Sequence, residues 1–174
     1  MPAFHTVRSV PYPPEAMLDL VADVVRYPEF VPLCESLTVL TQIDGTDGTR
    51  TITARMTVGY GPIRESFTSR VIVARALRRI DVTYLDGPFR YMRNRWLFKA
   101  APSGCDIDFD IAYEFRSLPL QLLLGAMFDR AFRKFAEAFE ARAGKLYGSP
   151  SGARLTEGAD NSTAVAPPSL RPAR

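Results

Sequence analysis

The side chains with the most obvious chemical pattern are three carboxylates. Asp106, Asp108 and Asp110 recur at period two, alternating with Ile107, Phe109 and Ile111. That period puts the carboxylates on one face of a strand and the apolar set on the other, so they read as a solvated outer surface rather than an acid/base pair in a pocket. Glu65, beside Arg64 and near Arg70, reads as half of an ordinary strand ion pair. The chain has one histidine, His5, and two cysteines, Cys34 and Cys105. A closed zinc site needs more soft ligands, and a nucleophilic triad needs a well-held base, which a lone His near the chain start does not offer. Gly59-Tyr60-Gly61 is followed by neither the Lys-Ser/Thr nor the helix-opening glycines of a phosphate loop. These patterns lead to the expectation of a protein that is not an enzyme, with no catalytic residue, metal or catalytic cofactor.

The basic residues are the next candidates. The net charge of +3 comes from 22 basic and 19 acidic residues, and nearly all the basic ones are Arg. Arg75, Arg78 and Arg79 surround a turn, and Arg90, Arg93 and Arg95 follow Gly87-Pro88-Phe89 with Tyr91 and Trp96 interleaved. Strand alternation sends Arg93, Arg95 and Lys99 outward with Leu97, and Met92, Asn94, Trp96 and Phe98 inward. Trp96 then belongs to a core or cavity wall, and the arginines to an outer face compatible with RNA or an anionic membrane surface. A DNA partner is not expected.

The elements that must position these residues come from periodicity. At 174 residues and 47% hydrophobic, the chain suffices for one domain with one core. His5 to Val10 is extended and stopped by Pro11. Pro13-Pro14 open a helix with Met17, Leu20, Val21 and Val24 on one face. From Ser36 to Phe115 alternating segments separated by Gly, Pro and Asp turns imply about six antiparallel strands. From Pro119 a helix of about 28 residues, roughly 42 Å long, carries Leu120, Leu124, Met127, Phe128, Ala131, Phe135, Ala138, Phe139, Arg142 and Leu146 on one face. A sheet with one dry face needs a cover, and the helix supplies it: an α+β fold. The domain spans residues 1–147. Residues 148–174, rich in Pro, Ser and Ala, are expected to be a disordered tail. No segment approaches the length of a membrane span and the first residues lack a signal core, so an unexported, cytoplasmic chain is expected.

The inward set is Met56, Val58, Phe67, Tyr84, Trp96, Phe98, Phe109, Tyr113, Met127 and Phe128. It suits the lining of a lipid or quinone pocket, and it equally suits a filled core.

One segment carries a resemblance. Asp23-Val24-Val25-Arg26-Tyr27-Pro28-Glu29-Phe30-Val31-Pro32-Leu33-Cys34 resembles the opening motif of the coenzyme Q-binding and ribosome-association toxin family, START-like members of the polyketide cyclase/dehydrase and lipid transport superfamily. Further similarity lies in Arg64-Glu65-Ser66-Phe67, in Gly87-Pro88-Phe89-Arg90 leading to Trp96-Leu97-Phe98, and in Phe139-Glu140-Ala141-Arg142. The resemblance implies a helix-grip fold, six to seven curved antiparallel strands around a long C-terminal helix with a hydrophobic tunnel. It implies ubiquinone or a related isoprenoid lipid as bound ligand, a carrier role supporting respiration, and peripheral contact with the inner membrane. As the alternative it implies a toxin-like translation inhibitor that binds ribosomal subunits. The tunnel rim and membrane contact are assigned to Phe30, Val31, Pro32, Pro88, Phe89, Leu122 and Leu123, with Arg90, Arg93 and Arg116 nearby to attract anionic headgroups.

Overall fold

The computed structural model describes residues 3–148; the expected tail lies outside them apart from Gly148. Strand β1 (Ala3–Val10) leads into helix α1 (Pro14–Ala22), whose first-turn proline sacrifices no helical hydrogen bond. A 3₁₀ turn over Val24–Glu29 contains Pro28, which prevents a longer helix. Strands β2 (Cys34–Asp44), β3 (Thr49–Tyr60), β4 (Ile63–Ala74), β5 (Arg79–Asp86), β6 (Phe89–Ala101) and β7 (Gly104–Phe115) follow, then helix α2 (Leu118–Tyr147).

All seven strands form one sheet in the order β1-β7-β6-β5-β4-β3-β2, every neighbour antiparallel. Five of the six pairings are hairpin neighbours in the chain, and the sixth, β1 with β7, returns the first strand to the far edge. Two turns depend on glycine. A Cβ on Gly87, at φ +138, would lie 2.7 Å from the Phe67 Cβ, and one on Gly104, at φ +151, would lie 2.1 Å from the Val10 carbonyl.

The inner face of the sheet and one side of α2 enclose the core. In β7 every second residue from Cys105 to Phe115 is buried, and Asp106, Asp108 and Asp110 face outward as their spacing predicts. Along α2 the buried stripe is Leu124, Gly125, Phe128, Ala131, Phe132, Ala136, Phe139 and Ala143. It is two residues wide, because the curved sheet covers the helix from both sides. Phe132 and Ala136 therefore join the core, whereas Leu146, expected on that face, is exposed. Among the described residues no helix is long and apolar enough to cross a membrane.

Candidate functional site

Between α2 and the middle of the sheet lies a cavity of about 110 Å³. That is several times the roughly 10–15 Å³ that one water requires. Its floor is built from alternate residues of four strands: Ala54, Met56 and Val58 of β3, Phe67, Ser69 and Val71 of β4, Ile80 and Val82 of β5, and Met92, Asn94 and Trp96 of β6. Its roof is the aromatic ladder of α2, Phe128, Phe132, Phe135 and Phe139. Val24 and Tyr27 of the 3₁₀ turn close one end together with Val31, Pro32 and Leu33. Leu33 has φ 67, unusual for a non-glycine residue, and this left-handed step turns the chain into β2 while Leu33 lines the cavity. A much smaller space continues from Leu33, Val58 and Phe128 toward Tyr60, Ile63 and Glu65 at the β3–β4 hairpin.

Of the residues expected to line a tunnel, Met56, Val58, Phe67, Trp96 and Phe128 border this cavity. Met127 borders only the small extension. Phe98, Phe109, Tyr113 and Tyr84 do not border the main cavity. They point inward but fill the core beside it, which corrects the sequence-based assignment. Trp96 lies on Phe109 with ring centres 4.5 Å apart, and Tyr113 is wedged against Phe115, Phe128 and Phe132 while its hydroxyl donates to the Gly125 carbonyl at 3.1 Å. Helix α2 lies against β1 and β7, and α1 against β5, β6 and β7, so side chains there are covered by helix and not by space.

The expected rim divides in the same way. Leu122 and Leu123 are 74% and 65% exposed, as a surface contact requires, and Val31 and Pro32 border the cavity. Pro88 is half-buried in its turn. Phe89 is not at the rim. It is 2% exposed and packed among Phe67, Tyr84, Phe115 and Phe128. Phe30 is held edge-on by Tyr27 and Phe139, with the Arg142 guanidinium 5.3 Å above its ring, so it clamps the proline-rich turn onto α2 instead of facing a membrane.

The polar groups at the cavity are few. Tyr27 donates its hydroxyl to the Val21 carbonyl, and burial pushes this phenol well above its ordinary pKa. Asn94 receives the Trp96 indole N–H at 2.8 Å and donates to the Asp110 carbonyl at 2.9 Å. Sequence reasoning set Asn94 on the inward face without assigning it to the site, and it overlooked Ser69. A polar residue at an inward position of an apolar strand was the signal available for both. Cys34 and Cys105 are buried thiols pushed up to about 11, so they are neutral and unreactive at ordinary pH. Among the described residues no cluster of His, Cys, Asp or Glu could hold a metal ion.

Outside, most sheet cations are neutralised. Asp81 pairs with Arg79 and Arg95, Asp108 with His5 and Lys99, and Glu114 with Arg90. Arg55, Arg70 and Arg93 are exposed and have no carboxylate partner among the described residues.

A curved antiparallel sheet closed by one long helix over an apolar cavity defines the helix-grip, START-like class of proteins. The chain belongs to the polyketide cyclase/dehydrase and lipid transport family, whose model matches residues 10–140. It is 34% identical to a ribosome association toxin, RatA, of Pseudomonas aeruginosa, over 83% of this chain and 98% of that protein. It is 35% identical to a mitochondrial coenzyme Q-binding protein, COQ10 homolog B of Xenopus laevis, over 77% of this chain and 54% of that longer protein. Among solved structures, the 18 kDa protein CC1736 of Caulobacter crescentus shares 35% identity and superimposes with a TM-score of 0.70, covering 86% of this chain and 100% of that one. Both named relatives are described as a binding protein or a toxin and not as enzymes.

Proposed function

We propose that this protein binds ubiquinone or a related isoprenoid lipid in the cavity beneath α2 and carries it at the cytoplasmic face of the inner membrane without catalysis. The observation that carries this reading is the cavity itself, whose wall is aliphatic and aromatic apart from a few side chains such as Ser69, Asn94 and Tyr27. Each methylene sheltered there instead of in water is stabilised by about 0.8 kcal/mol, which lets a hydrocarbon tail leave a bilayer at little net cost. The relative named for coenzyme Q binding supports the choice of ligand. Leu118, Leu122 and Leu123 are exposed on the first turns of α2 directly after Arg116, an apolar ridge with a cation at its edge that suits an anionic membrane surface. Organic extraction of the purified protein, followed by mass spectrometry, is expected to release a quinone or isoprenoid lipid, and the emptied protein is expected to take it up again. No lipid in the extract together with no uptake on reconstitution would sink the proposal.

A second reading is supported by the outer face and by the relative named as a ribosome association toxin. Arg70 stands opposite Thr83, which stands opposite Arg93, and Arg55 is diagonal to Arg70 across β3 and β4. Three uncompensated guanidinium groups on one exposed sheet surface suit the phosphates of ribosomal RNA. Cosedimentation with ribosomal subunits at low salt tests this reading, and its absence there removes it.

A further inference from the structure

Among the described residues, a single charged side chain borders the cavity and its small extension, that of Glu65. Glu65 is paired in register with Val58, and the next inward pair is Phe67 with Met56, so Glu65 belongs to the inner face of β4. The ordinary ion pair expected for it from sequence does not form. Arg64 donates instead to Glu35 at 2.7 Å, and Arg70, opposite Thr53, lies on the outer face. Glu65 is half-buried and has no hydrogen-bond or ion-pair partner among the described residues.

Its surroundings are apolar. Leu33, Val58, Ile63, Leu124, Met127 and Phe128 form the wall of the extension with it. The Gly59 N–H there is spent on the Leu33 carbonyl at 3.0 Å, and Tyr60 is 59% exposed and lies largely in solvent. The extension holds about 10 Å³. That is room for about one water-sized group, such as a hydroxyl. Leu33, Val58 and Phe128 border both spaces, so a molecule with its tail beneath α2 can set a small polar head beside Glu65. A carboxylate accepts hydrogen bonds and donates none, and in apolar surroundings it gains from a ligand that supplies a donor.

We infer that Glu65 is the head-group contact at the mouth of the cavity and that it selects a head that donates a hydrogen bond, the quinol form of an isoprenoid quinone over the quinone form. This rests on the lipid-carrier reading and adds to it the redox state of the cargo. A quinol hydroxyl donates to the carboxylate, whereas a quinone carbonyl only accepts and sets its lone pairs against those of Glu65. The two forms carry the same tail, so burial of the tail contributes equally to both and cancels from the comparison. What remains is one hydrogen bond to a charged acceptor, partly screened because Glu65 is half-buried.

The test titrates a short-tailed ubiquinone analogue, decylubiquinone, and its reduced form, decylubiquinol, into the full chain in oxygen-free buffer. Binding is read from the fluorescence of the one tryptophan, Trp96, which borders the cavity, with the midpoint of each titration giving the affinity. The wild-type protein is expected to bind the quinol about tenfold more tightly than the quinone. That preference raises the midpoint potential of the bound two-electron couple by about 30 mV, a second and independent readout. Glu65→Gln keeps the shape but presents an amide that both donates and accepts, so it should bring the two forms within about twofold of each other. Glu35→Gln alters a carboxylate already held by Arg64 and should keep the wild-type preference. Equal affinity for the two forms or tighter quinone binding in the wild type, or a preference that survives Glu65→Gln, overturns the role of Glu65 while leaving the carrier reading intact. Wild-type protein that binds neither form overturns the carrier reading and this inference with it.

Discussion

Phe89 shows how much one residue's register decides. Strict alternation through Met92, Asn94 and Trp96 would place Arg90 inward and Phe89 outward. Between Phe89 and Tyr91 the pairing with β7 slips by one residue, and this bulge turns Phe89 into the core and Arg90 into solvent. Phe89→Ala is therefore expected to cost roughly 3–5 kcal/mol of stability in urea denaturation, the range for deleting a buried aromatic ring. A loss below 1 kcal/mol would mean that the ring is not core. The thiols make a separate prediction about pH. Cys34 and Cys105 ionise near 9.0 when unfolded, but burial pushes both up to about 11 in the folded chain. Between these values the unfolded chain has lost protons that the folded chain keeps, so stability, complete below pH 9, falls as pH rises toward 11. Buried phenols at Tyr27 and Tyr113, also pushed up by desolvation, continue the loss at higher pH. The urea midpoint should decline from pH 9 to 10, and Cys34→Ala with Cys105→Ala should flatten that decline. An unchanged slope in the double variant would remove the thiols as its cause.

At the scale of elements, the first turns of α2 are where a structural and a functional demand separate. Leu124 is buried under the sheet, whereas Leu122 and Leu123 project away from it. Substituting exposed residues that touch no special feature usually shifts stability by less than about 0.5 kcal/mol. Leu122→Glu and Leu123→Glu should therefore leave the melting temperature nearly unchanged while reducing binding to anionic liposomes in flotation assays. A large fall in melting temperature would reassign both residues to packing, and unchanged flotation would remove this ridge as the membrane contact. The helix itself was legible, as were the strands, because the 3.6 and 2.0 periods of Phe128–Phe139 and of Cys105–Phe115 are long and uninterrupted. Which inward residues meet space and which meet side chains was not. Phe98, Phe109 and Tyr113 have the same alternation as Trp96 and Met56, and only the lie of α2 over β1 and β7 and of α1 over β6 and β7 fills one side of the core and leaves the other open. That choice is a long-range fact, absent from any window of sequence. The Phe89 bulge is local but silent, since no residue type obliges a pairing slip at Arg90.

For the whole molecule, the sheet has two faces with different uses, and a strand only about one residue thick separates them. Trp96 and Asn94 point into the cavity, and Arg93 and Arg95, their neighbours on β6, point to solvent. Substitutions on the outer face should then act on polyanion binding without disturbing lipid uptake. The two arginines are not equivalent. Arg95 is held by Asp81 at 2.8 Å, so its charge is largely spent, whereas Arg93 is uncompensated among the described residues and lies in the row with Arg70 and Arg55. If that row contacts phosphates, each contact releases close to one counterion, so three contacts predict a fall of log K with log salt of slope about −2 to −3. Arg93→Glu should weaken subunit cosedimentation strongly and reduce the slope by about one. Arg95→Glu should do much less to the phosphate contacts, although it leaves Asp81 facing a second carboxylate and costs some local stability. Both variants should still take up decylubiquinone with wild-type affinity. Equal effects of Arg93 and Arg95 on cosedimentation would show that the ion pair with Asp81 does not hold in solution. Loss of quinone uptake along with ribosome binding would show that the two faces are coupled through β6, and a carrier whose loading alters its outer surface would then replace two independent faces.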